Sequence, residues 1–210
     1  MALFISFEGI DGSGKSTQIR LLESYLCKQG VSVVVAREPG GTEVGNTIRQ
    51  ILLHSKNTRL KPISELLLYY ASRYQNLHEK ILPALTADQW VLCDRFADAS
   101  MAYQGYGRGI RLDFIRLLDQ EVIQKRIPDL TLYIDIDPLI GLSRARGRNQ
   151  QSRHDEGRFE NESVEFFTKV REGYLRLAKD NPLRIKTIDG DQSIEAVHRD
   201  ILCHLPSGGG

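Results

Sequence analysis

Residues Gly9-Ile10-Asp11-Gly12-Ser13-Gly14-Lys15-Ser16 satisfy G-x-x-x-x-G-K-[ST] in full. They stand between an apolar run at 3–7 and a segment of helical period at 15–29. Strand, glycine-rich loop and helix in that order are the context a P-loop requires. Its glycines let backbone N–H groups curl around phosphate oxygens without Cβ clashes. The N-terminal end of the following helix presents unpaired N–H groups and a partial positive charge. Lys15 adds a point charge for the β- and γ-phosphates, and the Ser16 hydroxyl is an oxygen ligand of the kind Mg²⁺ takes. The expected ATP-binding stretch is therefore Gly9, Ile10, Asp11, Gly12, Ser13, Gly14, Lys15, Ser16 and Thr17.

Short apolar runs at 3–7, 31–36, 90–93, 130–136 and 184–188 read as strands. Helical periods lie at 15–29, 44–54, 63–85, 112–126, 139–148, 162–180 and 194–204. Several runs are apolar on both faces, as in a parallel sheet covered on both sides. The alternation implies an α/β fold with right-handed crossovers. Pro39, Pro62, Pro83, Pro128, Pro138 and Pro182 fall near the proposed boundaries, where a missing N–H is tolerated. A chain of 210 residues suits one domain, expected over 1–206 with a flexible Gly-rich tail at 207–210. Residues 141–158 carry Arg144, Arg146, Arg148, Arg153 and Arg158 with few apolar residues after Ala145, and read as a mobile cationic loop.

The formal net charge of +1 argues against a nucleic-acid binder and against an acidic disordered chain. No apolar run approaches the ~18 residues of a membrane span. A charged n-region and a cleavage site are missing at the start, so a cytoplasmic location is expected. Cys27, Cys93 and Cys203 are an odd, widely spaced set. They fit a reducing compartment and are expected as small, mostly buried apolar residues. The five histidines show no metal spacing.

The run 90–94 ends in Asp94. At the C-terminal end of a central strand this carboxylate would lie beside the P-loop and hold a metal-bound water, a Walker-B-like role. The expected metal residues are Ser16 and Asp94. A switch GTPase would carry N-K-x-D, which is absent, and the single D-x-x-G lies inside the P-loop at 11–14. What remains is a small kinase that brings a second anionic substrate to the γ-phosphate, which calls for spare arginines in the cleft.

Five segments then resemble one family as a set: Phe7-Glu8-Gly9-Ile10-Asp11-Gly12, Arg37-Glu38-Pro39-Gly40-Gly41-Thr42, Asp94-Arg95-Phe96, Ala102-Tyr103-Gln104-Gly105 and 128–135. In order and spacing, from Leu3 to about Val197, the chain is similar to thymidylate kinase. The resemblance implies transfer of a phosphoryl group from ATP to dTMP with Mg²⁺, a five-stranded parallel sheet with a small lid at about 142–160, and a homodimer. It implies no nucleic-acid or membrane partner.

The resemblance also implies roles. Arg37 and Arg95 would grip the dTMP phosphate, where the planar guanidinium fork matches phosphate oxygens. Pro39 would follow a cis bond that aims Arg37. Asp11 would face the sugar 3′-hydroxyl and the metal. Tyr69 and Arg73, four apart on one helix face, would stack on thymine and donate to its exocyclic oxygen. Ser100 would meet the N3 edge, Tyr103 would crowd a ribose 2′-hydroxyl, Phe159-Glu160 would approach the deoxyribose, and Gln104 belongs to the dTMP-binding set. For Phe159-Glu160, an apolar residue beside a helix-start Glu is the competing reading. For Tyr69 and Tyr103 it is ordinary core packing. The family's usual Phe is Tyr69 here, and Ala99 replaces a frequent Ser.

No arginine occupies the variable P-loop positions 10–13. The arrangement is similar to the bacterial type, in which a lid arginine closes over ATP, with Arg148 and then Arg153 the candidates. The catalytic set is Lys15, Asp94, Arg95, Arg148 and Arg153. Two alternatives stand beside this one. The first is another small nucleoside or nucleotide kinase, separated by a panel of acceptors. The second is an ATP-binding P-loop regulatory protein, which would form no ADP on addition of dTMP.

Overall fold

The apolar run before the P-loop is strand β1 (Phe4–Glu8), buried along its whole length. A computed structural model describes residues 2–54, 56, 59–124, 126–149 and 158–206. The other strands are β2 (Val33–Arg37), β3 (Trp90–Asp94), β4 (Leu130–Asp135) and β5 (Ile185–Asp189). All pair in parallel, in the order β2-β3-β1-β4-β5. The chain leaves β1 towards one edge, returns through β3 and crosses to β4 on the other side. That reversal opens a crevice at the carboxyl ends of the central strands, where ligands bind in open α/β sheets. Register aligns Phe7 with Asp94 and Asp94 with Arg37, so the P-loop, Asp94 and Arg37 emerge side by side.

The helices are α1 (Lys15–Lys28), α2 (Glu43–Leu53), α3 (Pro62–Asn76), α4 (Leu82–Thr86), α5 (Ala97–Ser100), α6 (Leu112–Ile123), α7 (Pro138–Asn149), α8 (Val164–Asp180) and α9 (Ile194–Cys203). Ile5, Phe7, Leu92 and Leu132 pack against Ile19, Leu22 and Leu26 of α1 and Val197 and Ile201 of α9. On the other face Phe4 and Val91 meet Leu77 and Ile81, and Tyr133 stacks on Tyr174 of α8. Two-sided burial thus accounts for the apolar strand runs; each such side chain contributes about 1.5–3 kcal/mol. Side-chain caps set three helix starts: Thr42 accepts from Gly45 N–H at 3.0 Å, Ser163 from Phe166 N–H at 3.1 Å and Ser193 from Ala196 N–H at 3.2 Å.

Several expectations need correction. The helix expected over 63–85 is α3, a π-helical turn (Leu77–Ile81) and α4. Pro83 is the cause: its ring has no N–H and clashes with the carbonyl four residues back, and the wider turn relieves that crowding. Residues 97–107 show no helical period yet form α5 and a π-helix (Met101–Gly107). Ala97 to Gly105 are buried throughout, so there is no polar face to set a period. The helix expected to 126 ends at Ile123, with Gln124 at φ +47°. The one expected from 162 starts at Val164 behind its Ser163 cap.

The cationic stretch 141–158 is not a loop at its start. It continues α7 to Asn149, with Leu142 and Ala145 buried, and at its far end Arg158 is buried too. Cys93 is buried as expected, but Cys27 and Cys203 are exposed, near the ends of α1 and α9. The tail 207–210 lies outside the described residues. Among the described residues no helix is long and apolar enough to cross a membrane.

Candidate active site

The P-loop takes its shape from positions that admit no side chain. Gly9 has φ +137°, and a Cβ there would stand 2.5 Å from the Ile134 carbonyl oxygen. Gly12 has φ +81°, and its Cβ would run into the carbonyl of Gly141 in α7. Only glycine meets both demands. Lys15 opens α1 and turns back into the loop, where its Nζ donates to the carbonyls of Gly9 and Ile10 at 3.0 Å each. Burial lowers its pKa to about 8, and the Arg95 cation pushes the same way against Asp94 and Asp11.

A polyanion placed on Lys15 favours its protonated form. Above pH 8 the free protein must therefore take up a proton to bind one, whereas below pH 8 the proton is already present. Affinity for a nucleoside triphosphate is expected to be level below pH 8 and to fall about tenfold per pH unit above it. Calorimetry across pH 6.5 to about 9.5 in buffers of different ionisation enthalpy measures both the slope and the proton uptake.

Ser16 Oγ donates to Asp94 Oδ2 at 3.0 Å, so the expected metal residues are in contact. The donor set is a hydroxyl and one carboxylate, both oxygen. This fits Mg²⁺, which keeps several waters and completes its shell with substrate phosphates. A cleft of about 720 Å³ opens on this pair, lined by Asp11, Lys15, Arg37, Arg49, Asp94 and Arg95 among others.

Arg95 lies just beyond β3 at φ +70°, a conformation non-glycine residues rarely adopt. Two bonds hold the strained turn: Arg95 N–H donates to Phe7 O at 3.0 Å, and Phe96 N–H donates to Glu8 Oε1 at 2.7 Å. The second Glu8 oxygen accepts from the Tyr174 hydroxyl at 2.7 Å. Burial pushes the Glu8 carboxyl up to about 8, helped by Asp98 and opposed by Arg95. The turn aims the Arg95 guanidinium across the P-loop. It donates to Gly9 O at 2.8 Å, to Asp11 Oδ1 at 2.9 Å and to the Tyr103 hydroxyl at 3.1 Å. Asp11, Arg95 and Tyr103 therefore form one unit. Arg37, at the end of β2, is exposed to the cleft, and the Glu38–Pro39 bond is cis.

The remaining expected residues form a buried polar group beside the cleft. Arg73 of α3 is 1% exposed and spends three of its donors inside the protein. They go to Glu38 at 2.6 Å, to Ser100 Oγ at 3.0 Å and to the Phe96 carbonyl at 2.9 Å. Arg73 thereby ties the turn after β2 to the turn after β3. Tyr69 lies one turn before it and is partly buried against the core. Burial, with Glu65, raises its hydroxyl pKa. Tyr103 meets Phe159 edge-on at 5.5 Å, and Gln104 donates to Glu65 at 2.8 Å. Among the described residues, Tyr69, Arg73, Ser100, Tyr103, Gln104 and Phe159 do not line the 720 Å³ cleft; they reach it through Arg95 and Glu38. The side chains of Arg148 and Glu160, and the whole of Arg153, lie outside the described residues.

The structure adds residues that carried no assigned role. Glu38 and Glu8 sit inside quoted motifs but serve as acceptors for Arg73 and for the Arg95 turn. Arg49 of α2 lines the cleft and donates to the Pro39 carbonyl at 2.9 Å. Arg158 is an ion-pair partner of Glu65 at 2.7 Å rather than a solvated lid residue. The spacing Glu65, Tyr69, Arg73 along one helix face was the available signal for Glu65.

A family model described as Thymidylate kinase matches residues 7–201. The thymidylate kinase of Caldanaerobacter subterraneus subsp. tengcongensis is 49% identical over 199 residues, covering 95% of this chain and 92% of that protein. That of Thermoanaerobacter pseudethanolicus is also 49% identical, over 95% of each. The crystal structure of thymidylate kinase from Ehrlichia chaffeensis superposes with a TM-score of 0.78 at 37% identity, covering 96% of this chain and 97% of that one.

Proposed function

The chain belongs to the thymidylate kinase family and is a dTMP phosphotransferase, and from that premise we propose that it moves the γ-phosphoryl group of Mg²⁺-bound ATP onto dTMP. The observation that carries this reading is the shared cleft. It is lined by the P-loop lysine together with the side chains of Arg37, Arg49 and Arg95. Glycine-flanked N–H groups and Lys15 hold the donor triphosphate; Ser16 and Asp94 would hold Mg²⁺, which would supply charge neutralisation. Arg95 and Arg37 take the dTMP phosphate, and Asp11 faces the sugar. Arg73 and Ser100 present donors to the thymine edge, Tyr69 a ring to its face, and Tyr103, Gln104, Phe159 and Glu160 surround the deoxyribose.

The acceptor is a phosphate oxygen already anionic at neutral pH. Positioning and charge neutralisation therefore carry the rate, and no general base is needed. Arg148 and Arg153 are the lid residues assigned to the transferred group, within a lid at about 142–160 of a single domain over 1–206.

A coupled ADP-release assay with dTMP, dUMP, UMP, CMP and thymidine tests the reading. Turnover is expected with dTMP foremost, and a chelator of divalent cations should stop it. Arg95→Met should lower kcat/KM for dTMP about a hundredfold, since it removes a bidentate phosphate donor and the ion pair to Asp11. ATP binding without ADP formation on dTMP would favour a regulatory P-loop protein instead.

The same reading includes a homodimer and a cytoplasmic setting. Ile63 and Leu67 of α3 and Leu117 of α6 are 46%, 47% and 51% exposed, large for apolar side chains. Ile63, Phe114 and Leu117 share one half-open groove. Light scattering on the purified chain is expected to give twice the monomer mass; a monomer at assay concentration removes this part. Free thiols at Cys27, Cys93 and Cys203 fit a reducing compartment, which cell fractionation checks.

A further inference from the structure

Glu65 is an acid on the buried face of α3, 1% exposed, and the reaction as described makes no use of it. Three side chains from two segments distant in sequence converge on its carboxylate. Oε1 accepts from Gln104 Nε2 at 2.8 Å and from Arg108 Nε at 3.3 Å. Oε2 accepts from Arg158 at 2.7 Å and from Arg108 at 3.2 Å. Gln104 adjoins Tyr103 in the chain, and Arg158 adjoins Phe159. Glu65 therefore holds the neighbour of each of two rings that touch edge-on at 5.5 Å. Its two guanidinium partners also flank the second ring directly. Arg158 lies 4.5 Å and Arg108 5.5 Å from the Phe159 centroid. Arg158 is anchored further by its N–H to the Leu53 carbonyl at 3.1 Å and by its side chain to the Leu52 carbonyl. Arg108 pairs in addition with Glu162 at 2.6 Å.

One buried carboxylate with this many charge-assisted bonds fixes geometry more than it adds stability. We infer that Glu65 is a positioning residue that sets the Tyr103–Phe159 wall against the sugar and so maintains discrimination between deoxyribose and ribose. This rests on the proposed dTMP reading, in which that wall crowds a 2′-hydroxyl. An outward shift of that wall makes room for the extra oxygen of a ribose. Neutralising Glu65 keeps an acceptor for Gln104 but releases the two guanidinium groups, and the wall loosens without any substrate contact being removed.

The test compares dTMP with ribothymidine 5′-monophosphate as acceptors for wild type and Glu65→Gln, with KM for ATP measured alongside. The dTMP preference in kcat/KM is expected to fall about tenfold or more, with a raised KM for dTMP, while KM for ATP stays within about twofold. A folded Glu65→Gln protein with unchanged preference overturns the inference. So does a parallel rise in KM for ATP, which marks a general loss of structure. Should Glu65→Gln not fold, Arg108→Met is read the same way, because its side chain is 17% exposed and tolerates replacement better. Wild-type protein that forms no ADP with dTMP overturns the functional reading itself, so the two failures are distinct.

Discussion

Replacing Lys15 by methionine is expected to lower kcat about a thousandfold while leaving dTMP binding and thermal stability close to wild type. In the free protein the ammonium group is buried and satisfied by two carbonyls, and its depressed pKa says that the cation is held at a cost. Methionine has similar length and no charge to bury, so folding should not suffer. What it lacks is the point charge that strengthens as negative charge shifts during transfer. An arginine at this position should not restore the rate, because its planar fork does not fit where a compact ammonium reaches both the Gly9 and Ile10 carbonyls. Steady-state kinetics with calorimetric titration of dTMP separates the two effects. Retention of wild-type kcat by Lys15→Met would place the donor phosphates elsewhere.

The second large effect is expected from the lid. With no arginine among Ile10 to Ser13, the proposed source of charge for the transferred group is the arginine-rich lid at about 142–160, which begins within α7. Arg148→Ala or Arg153→Ala should reduce kcat about a thousandfold or more with a modest change in either KM. The other arginines there are expected to behave differently. Arg144 is half exposed and lies 3.6 Å from Asp191 at the far edge of the sheet. Arg158 is buried on Glu65, so its loss should appear in the melting temperature and in the sugar preference before it appears in kcat. Full activity in every single lid-arginine variant, Arg144, Arg146 and Arg158 included, would reject a lid arginine as the catalytic cation.

The P-loop was legible in the sequence because it is a local device. Its glycines, Lys15 and Ser16 are contiguous, and their conformation depends on a strand and a helix on either side. Most strands were legible for a similar reason: burial on both faces makes the runs at β1, β3 and β4 largely apolar. The segment 97–107 was not legible, because a helix buried on all sides carries no polar face. Cys27 and Cys203 were misjudged because residue type alone does not say which face of α1 or α9 a side chain takes. Arg73 and Ser100 were named from the sequence, but their bonds to Glu38, Phe96 and each other were not, since those partners are 23 to 35 residues from Arg73 in the chain.

The linear order of residues thus determined the fold class and the P-loop, both built from short-range spacing. Tertiary structure alone decided which charges neutralise which: Asp11 with Arg95, Glu38 with Arg73, and Glu65 with Arg108 and Arg158. Burying an ion is costly without its partner, and the partner is chosen by distance in space, which crossovers of the sheet set and a string of letters does not record.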